Sequence, residues 1–288
     1  MVGAVAAVAD RPILGAGISF RDEWSWEIVR HRDRLGLVEV VPENVVGERG
    51  CRDVHVLRDA VPLLVHGIGL SLGGAEGIDP ARLEHFARIV ELARPPWISE
   101  HIAFTRAGGV DVGHLTPLPF TREAVDMVAR NVAALRRRIP DVPLLLENIA
   151  YTVRLPGAEM TEAEFVTAVV ETADCGLLLD LENVHANATN HGYDARTFLE
   201  ALPLERVGEV HLAGGQWVDD RYADTHTRAV PEESWALLEW LVQRVRVPAV
   251  VIERDDELPP FLELLNEVDR AREILDHAAA RAAASAGR

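Results

Sequence analysis

The chain has 288 residues, 48% of them hydrophobic, which suffices for one sizeable core and lies within the usual size of a single α/β barrel. Acidic residues outnumber basic ones 46 to 29, and the net charge of −17 argues against a nucleic-acid partner, because no basic surface is evident to neutralise phosphates. No run of about 18 uncharged apolar residues occurs, so we expect no membrane span. The two cysteines, Cys51 and Cys175, form no CxxC pair and fit a reducing cytoplasm.

Short apolar segments alternate with helical patterns along the whole chain. Eight of these segments are predicted strands: 13–20, 35–41, 62–68, 96–104, 143–149, 176–182, 207–214 and 249–255. Their apolarity is continuous rather than alternating, which is typical of parallel strands covered on both faces.

Helix signals lie between several of the predicted strands. Asp79 and Pro80 open one helix, and Thr161 with Glu164 forms a capping box before another. Strands and helices in one uninterrupted series predict a TIM-type (β/α)8 barrel of the α/β class. We expect one domain over residues 1–288, with frayed ends at 1–12 and 278–288.

Polar side chains gather where the predicted strands end. They are His66, Glu100, His101, Glu147, Asn148, Asp180, Glu182, Asn183, His211, Glu253, Arg254 and Asp255, with Asp224 and His226 in the loop after the seventh strand. In a barrel the carboxyl ends of the strands form one rim, so these residues would converge on one cavity. So many acids share a small pocket only with raised pKa values or bound cations, and lysine is absent from the chain. Mixed imidazole and carboxylate ligands suit iron, zinc or manganese, and their number exceeds what one ion needs.

Nine segments, in their order and spacing, resemble the multinuclear non-heme iron-dependent oxidative enzymes, the TIM-barrel group typified by the methanobactin-maturation oxidase. The segments are PEN (42–44), HGIGLSLGG (66–74), ISEHIAF (98–104), LLENIAY (145–151), LLLDLENVHANATN (177–190), HLAGG (211–215), DTHTRAV (224–230), SWALL (234–238) and VIERDDELP (251–259). The resemblance covers nearly the whole chain, from about residue 15 to residue 273.

The resemblance implies a cluster of two or three irons of mixed valence. Its ligands would be His66, His101, Glu147, Asp180, Asn183, His211, Asp224, His226 and Glu253. Glu147 would bridge two irons, and Glu147, Asp180 and His211 would be the catalytic residues. Four further residues are expected to contact substrate or support the ligands: Asn148, Glu182, His185 and Arg254.

The chain departs from the family's pattern at two places. Members often carry an Asn-Asn pair and a tyrosine where this chain has Glu182-Asn183 and His185. They often have a histidine where Gly215 stands here. Both departures bear on metal count and substrate choice.

The activity implied by the resemblance is the O2-dependent modification of a cysteine in a ribosomally made precursor peptide. The product would be a heterocycle, a thioamide or a related rearrangement, made in the cytoplasm with a separate partner protein that binds the leader. Two alternatives stay open. One is a redox-inert zinc or manganese barrel, like a sugar isomerase or an endonuclease, and the negative charge counts against the endonuclease. The other is a metal-binding protein without catalysis.

Overall fold

A computed structural model describes residues 11–286, and the predicted α/β barrel is confirmed: eight parallel strands close into one barrel. Each strand pairs with its neighbours in chain order, and the last pairs with the first. The strands are β1 (Gly15–Ser19), β2 (Val38–Val40), β3 (Leu63–Gly67), β4 (Ile98–His101), β5 (Leu144–Glu147), β6 (Gly176–Asp180), β7 (Val207–Leu212) and β8 (Ala249–Ile252). Each observed strand lies inside one of the eight predicted segments and is shorter than that segment.

Helices surround the barrel. They are α1 (Ser25–Arg30), α2 (Gly47–Ala60), α3 (Pro80–Ala93), α4 (Arg122–Arg138), α5 (Glu162–Thr172), α6 (Leu181–His191), α7 (Ala195–Glu200), α8 (Glu232–Leu241) and α9 (Phe261–Ala286), with 3-10 turns at Asp22–Trp24, Arg32–Arg34, Pro42–Asn44 and Leu204–Arg206. The expected caps are present: Asp79 accepts from the amides of Ala81 and Arg82, and Thr161 and Glu164 form a capping box. Among the described residues, no helix is long and apolar enough to cross a membrane.

The chain ends fall partly outside the described residues. Residues 1–10 and 287–288 of the expected frayed ends are not among them. At the N-terminal end, Arg11 is buried, and its guanidinium carbon lies 5.7 Å from the ring centre of Trp97. At the C-terminal end, α9 continues through residues 278–286.

Two hairpins were not expected as strands. One pairs Phe104–Ala107 with Val110–Thr116 after β4, and the other pairs Gln216–Val218 with Arg221–Ala223 after β7. Most of their residues are exposed, so they carry no apolar run of the kind that marked the barrel strands. Each follows the carboxyl end of a barrel strand, so both lie on the side of the barrel where the strands end.

The inside of the barrel changes from apolar to ionisable along the strands. Leu37, Leu64, Trp97, Leu145, Leu178 and Val251 belong to one buried apolar cluster. Two residues further along the same strands stand Glu39, His66, Ser99, Glu147, Asp180 and Glu253, all buried. Residues two apart on a strand share a face, so the apolar cluster is the floor of a polar chamber that opens at the rim.

Candidate metal centre

Three inward-facing residues on β3, β4 and β5 form one side of the chamber. Nε2 of His66 lies 3.2 Å and Nε2 of His101 lies 3.1 Å from Oε2 of Glu147. The other ring nitrogens are occupied: Nδ1 of His101 donates to the carbonyl of Gly67 at 3.0 Å, and Nδ1 of His66 is 2.9 Å from Oγ of Ser99. These outer contacts aim Nε2 of each ring at the carboxylate, which is how metal-binding histidines are held. An unprotonated nitrogen facing a carboxylate oxygen needs a cation or a proton between them.

His211 on β7 occupies the centre of the barrel. Its Nδ1 lies 3.1 Å from Oε2 of Glu253 and 3.7 Å from Oε1 of Glu147. Its Nε2 lies 3.2 Å from Oε2 of Glu39 on β2 and 3.7 Å from Oε1 of Glu209. His211 thereby contacts carboxylates from four strands and links the two sides of the chamber.

The other side contains Asp180, Asp224 and His226. Asp180 caps α6, because one of its oxygens accepts from the amide of Asn183 at 2.6 Å. Nε2 of His226 lies 2.9 Å from Asp224, and its Nδ1 lies 3.7 Å from Oε2 of Glu253. His226 has φ of 52°, in the left-handed region that a non-glycine residue seldom adopts.

Ligand atoms converge in three sets of three residues, each set within 4.8 Å: His66, Glu147 and His211; Glu39, His211 and Glu253; Asp180, His226 and Glu253. His211 and Glu253 each belong to two sets, so the three form one continuous constellation. Several of its buried polar atoms lie close to other polar atoms yet form no aligned hydrogen bond among the described residues, including Oε2 of Glu147, Oδ2 of Asp180 and Nδ1 of His211. Buried groups left without partners suit metal ligands, and the residues present therefore fit a metal centre.

The electrostatics of the chamber point the same way. Burial raises the pKa of the Glu147 and Asp180 carboxyls well above their ordinary values. Burial also lowers the pKa of His101 to about 4, which favours the neutral ring that a metal requires. Burial alone would lower the pKa of His211, but the carboxylates of Glu253, Glu39 and Glu147 raise it well above the usual range. The protein has thus buried more acid than its own bases neutralise, and bound cations would relieve the excess.

The structure brings the nine expected metal ligands to one place. Six of them belong to the constellation: His66, Glu147, Asp180, His211, His226 and Glu253. His101 contacts Glu147 of the constellation, and Asn183 and Asp224 line the same cavity beside it. That cavity has a volume of about 530 Å³ and opens at the carboxyl-end rim. Leu115 of the first hairpin and Asp224, next to the second, form part of its wall.

Four further residues were expected to contact substrate or support the ligands. Asn148 holds the backbone of the expected ligand Asp180, whereas Glu182, His185 and Arg254 contact other parts of the fold. Asn148 makes two hydrogen bonds of 3.0 Å with the backbone of Asp180 and so ties β5 to β6. Glu182 accepts from Ser234 Oγ, Tyr222 OH and the Gly215 amide, and His185 packs edge-on against Tyr222. Arg254 is buried away from the cavity, where it pairs with Glu267 of α9 at 2.5 Å.

Sequence reasoning missed three residues of the chamber. Glu39 and Glu209 lie inside predicted strands rather than at their ends, and both are fully buried. Both could have been found from their spacing, because residues two apart on a strand point to the same face. Glu39 is two residues from the inward-facing Leu37, and Glu209 is two residues from His211. Arg21, just beyond β1, is a cation at the cavity, where its guanidinium pairs with Asp255.

Comparison of the sequence with known protein families and proteins identifies a family to which the chain is similar. Residues 15–276 match the sequence profile described as "RiPP precursor modification enzyme MbnB/TglH/ChrH". A "UPF0276 protein" of Rhizorhabdus wittichii is 38% identical over 251 residues, which cover 86% of this chain and 90% of that protein. Another, from Caulobacter vibrioides, is 36% identical over 267 residues, with 91% and 94% covered.

Comparison with solved structures shows the fold. A D-tagatose 3-epimerase-like protein aligns with a TM-score of 0.59 at 15% identity, covering 92% of this chain and 99% of that one. Endonuclease IV from Thermus thermophilus aligns with a TM-score of 0.54 at 16% identity, covering 93% and 99%. At these identities the likeness extends to the barrel and no further.

Proposed function

Since the chain belongs to the MbnB/TglH/ChrH family of RiPP precursor modification enzymes, we propose that it is an iron- and O2-dependent oxidase that modifies a precursor peptide, at a cysteine. RiPPs are ribosomally synthesised and post-translationally modified peptides. The observation that carries the proposal is the constellation in which His211 and Glu253 are each shared by two sets of converging ligand atoms. A shared ligand set suits two or three ions rather than one.

The irons would be held by His66, His101, Glu147, Asp180, Asn183, His211, Asp224, His226 and Glu253, with Glu39 as a further carboxylate of the same constellation. Bound iron would supply open positions for a thiolate and O2 together with a change of valence, which zinc lacks. Glu147 lies between the imidazoles of His66 and His101 on one side and His211 on the other, so it is placed to bridge.

The surrounding residues orient the ligands and shape the entrance. The Gly67 carbonyl fixes the tautomer of His101, and Glu39 fixes the orientation of His211. The buried floor beneath them, with Leu64, Leu145 and Leu178, keeps water from reaching the centre from below. Substrate would enter through the cavity that opens at the rim, beside Leu115 of the first hairpin and Asp224.

The substrate would be a ribosomally made peptide that enters the 530 Å³ cavity as an extended segment with its cysteine foremost. A separate protein would hold the leader of the precursor, and both would act in the cytoplasm. The two alternatives make different predictions: a redox-inert zinc or manganese enzyme consumes no O2, and a metal-binding protein modifies no peptide.

The test is metal analysis of protein purified without air, followed by O2 uptake and peptide mass measurement with cysteine-containing precursors. We expect iron in excess of one ion per chain, O2 uptake that depends on the peptide, and a mass change in the peptide. Glu147→Gln should abolish all three, whereas the control Glu171→Gln, on the exposed face of α5, should leave them unchanged. Zinc without iron, and no O2 uptake with any precursor, would overturn the proposal.

A further inference from the structure

A second cavity lies outside the metal centre, between the loop after β5 and the helices α5 and α7. It has a volume of about 570 Å³. Four aromatic rings line it, from Phe120, Tyr151, Tyr193 and Phe198, and the carboxylate of Glu162 stands among them. None of these residues belongs to the metal constellation.

Glu162 is satisfied only by neutral donors. Its oxygens accept from Tyr151 OH at 2.8 Å, from Tyr193 OH at 3.3 Å and from Nδ2 of Asn187 at 3.2 Å. Among the described residues, no ion pair within 4.0 Å joins Glu162 to a cation. Arg154 lines the exposed edge of the cavity and lowers the pKa of Glu162 and of Tyr151, but within the part of the chain that the structure describes it forms no hydrogen bond with the carboxylate. Burial raises the pKa of this carboxyl to about 7. A cation that entered the cavity would favour its ionised form.

The aromatic walls are held in place by contacts of their own. The amide of Tyr151 donates to Oδ1 of Asn187 at 2.9 Å, and its ring stacks on His191 with centroids 4.5 Å apart. Tyr193 packs against Phe198 with centroids 5.6 Å apart. Rigid aromatic faces around a carboxylate attract a cation through both the ring quadrupoles and the charge.

We propose that this aromatic cavity binds a cationic side chain, arginine or lysine, of the same precursor peptide that is modified at the metal centre. The inference rests on the proposed function for the identity of that peptide. Charge complementarity supports it, because the hydrogen-bond donors to Glu162 are all neutral and the chain as a whole carries a net charge of −17.

The position of the cavity fits one peptide that reaches both sites. Tyr151 follows Glu147 by four residues, so their Cα atoms lie within about 14 Å, which is the reach of four extended residues. Phe120, Tyr151 and Glu162 also border a smaller cavity, lined by Asn148, on the side toward the barrel rim. A basic side chain on the order of four or five residues from the modified one would therefore reach Glu162.

Direct binding of small probes tests the proposal without metal or O2. The probes are Nα-acetyl-L-argininamide and Nα-acetyl-L-lysinamide, with the uncharged Nα-acetyl-L-norleucinamide as the matched control, titrated at pH 8 and followed by NMR. We expect saturable binding of at least one cationic probe with a Kd on the order of 1 mM, and at least about tenfold weaker binding of norleucinamide.

Variants locate the binding site. Glu162→Gln keeps the shape of the side chain and should weaken binding of the cationic probe about tenfold. The control Glu171→Gln, on the same helix but outside the cavity, should bind as the wild type does. Thermal unfolding of each variant shows that the fold is retained, and Tyr193→Phe, which removes one donor and keeps the ring, is a second variant that should weaken binding less than Glu162→Gln.

Absence of binding by both cationic probes, equal binding of norleucinamide, or unchanged binding by a folded Glu162→Gln variant would each overturn the inference. These results are independent of iron content and O2 uptake. A failure here would therefore leave the oxidase proposal standing, and a failure of the oxidase proposal would appear in the metal and O2 measurements instead.

Discussion

Nε2 of His211 lies 3.2 Å from Oε2 of Glu39, and both side chains are fully buried. The contact joins β7 to β2, two strands that are not neighbours in the barrel. It also decides which way the imidazole faces, because with Nε2 at Glu39 the other nitrogen, Nδ1, points at Glu253 and Glu147. The carboxylate of Glu39 is thus either a ligand itself or the group that orients the central histidine.

Glu39→Gln should weaken metal binding about 10- to 100-fold, because the amide keeps the size of the side chain but loses the charge that orients His211. The measurement is the iron retained by each protein after equilibration with a graded series of chelator concentrations. Glu48→Gln, on the exposed face of α2, is the control and should retain as much iron as the wild type. Equal retention by Glu39→Gln would show that Glu39 has no part in the centre.

Glu147→Gln should cost more iron than Asp224→Asn. Glu147 is central, within 3.7 Å of three imidazoles, whereas Asp224 lies beside the constellation and contacts His226 at 2.9 Å. If Glu147 bridges two ions as proposed, its replacement removes a ligand from both of them. Metal analysis of both variants, purified without air, provides the comparison, and circular dichroism confirms that each is folded. Equal losses would argue against a bridging position for Glu147.

Arg254→Met should destabilise the protein by about 3–5 kcal/mol, because it leaves the Glu267 carboxylate without its buried partner. Urea unfolding of the metal-loaded protein measures the free energy of unfolding. The double variant Arg254→Met/Glu267→Gln should recover much of the loss, since it removes the unpaired charge. Iron content should stay near the wild-type value in both, and a variant that lost iron at unchanged stability would place Arg254 at the metal centre instead.

Glu162 should make stability fall as pH rises from about 4.5 to about 7. Burial raises the pKa of its carboxyl in the folded protein to about 7 from an ordinary value of 4.5. Between pH 4.5 and pH 7 the folded state keeps a proton that the unfolded state has released. The free energy of unfolding therefore falls over this range, by at most about 3 kcal/mol in total. Of the neighbours, Tyr151 and Tyr193 stay neutral over this range because burial raises their pKa values, and Asp194 stays ionised because the Thr197 amide and hydroxyl lower its pKa.

The measurement is urea unfolding of wild type and Glu162→Gln at several pH values from 5 to 8. The difference between the two proteins isolates Glu162, because titration of the metal ligands contributes equally to both. Glu162→Gln should be the more stable protein at pH 8. A difference that does not change with pH would mean that the carboxyl titrates alike in the folded and unfolded states.

Several features of the molecule could be predicted from local sequence. Continuous apolar runs placed all eight barrel strands, because a strand buried on both faces has few polar positions. The end of each apolar run marked the carboxyl end of a strand. Because these ends form one rim in a closed barrel, polar residues there, such as His66, Glu147 and Asp180, were predicted to lie on the same rim. The helix caps at Asp79 and Thr161 were visible because a cap depends on residues within one turn.

Other features depended on side-chain direction. Glu253 and Arg254 are adjacent at the end of β8, yet Glu253 belongs to the constellation of converging ligand atoms and Arg254 pairs with Glu267 of α9. Glu182 is turned toward Tyr222 and Ser234 rather than into the cavity. Successive side chains along a strand point to opposite faces, and the backbone turns where the strand ends. A position at the rim therefore did not determine whether a side chain points into the cavity or toward the helices.

The sequence by itself determined the barrel and most of the residues at its rim, because strand periodicity and caps are properties of neighbouring residues. Only the tertiary structure decided that Glu39 meets His211 across the barrel, and that Phe120, Tyr151, Glu162 and Tyr193 surround one cavity. These contacts join residues from separate strands and helices, up to 172 positions apart in the case of Glu39 and His211. Their geometry follows from the closure of the barrel and the packing of its helices, which no local pattern of residues records.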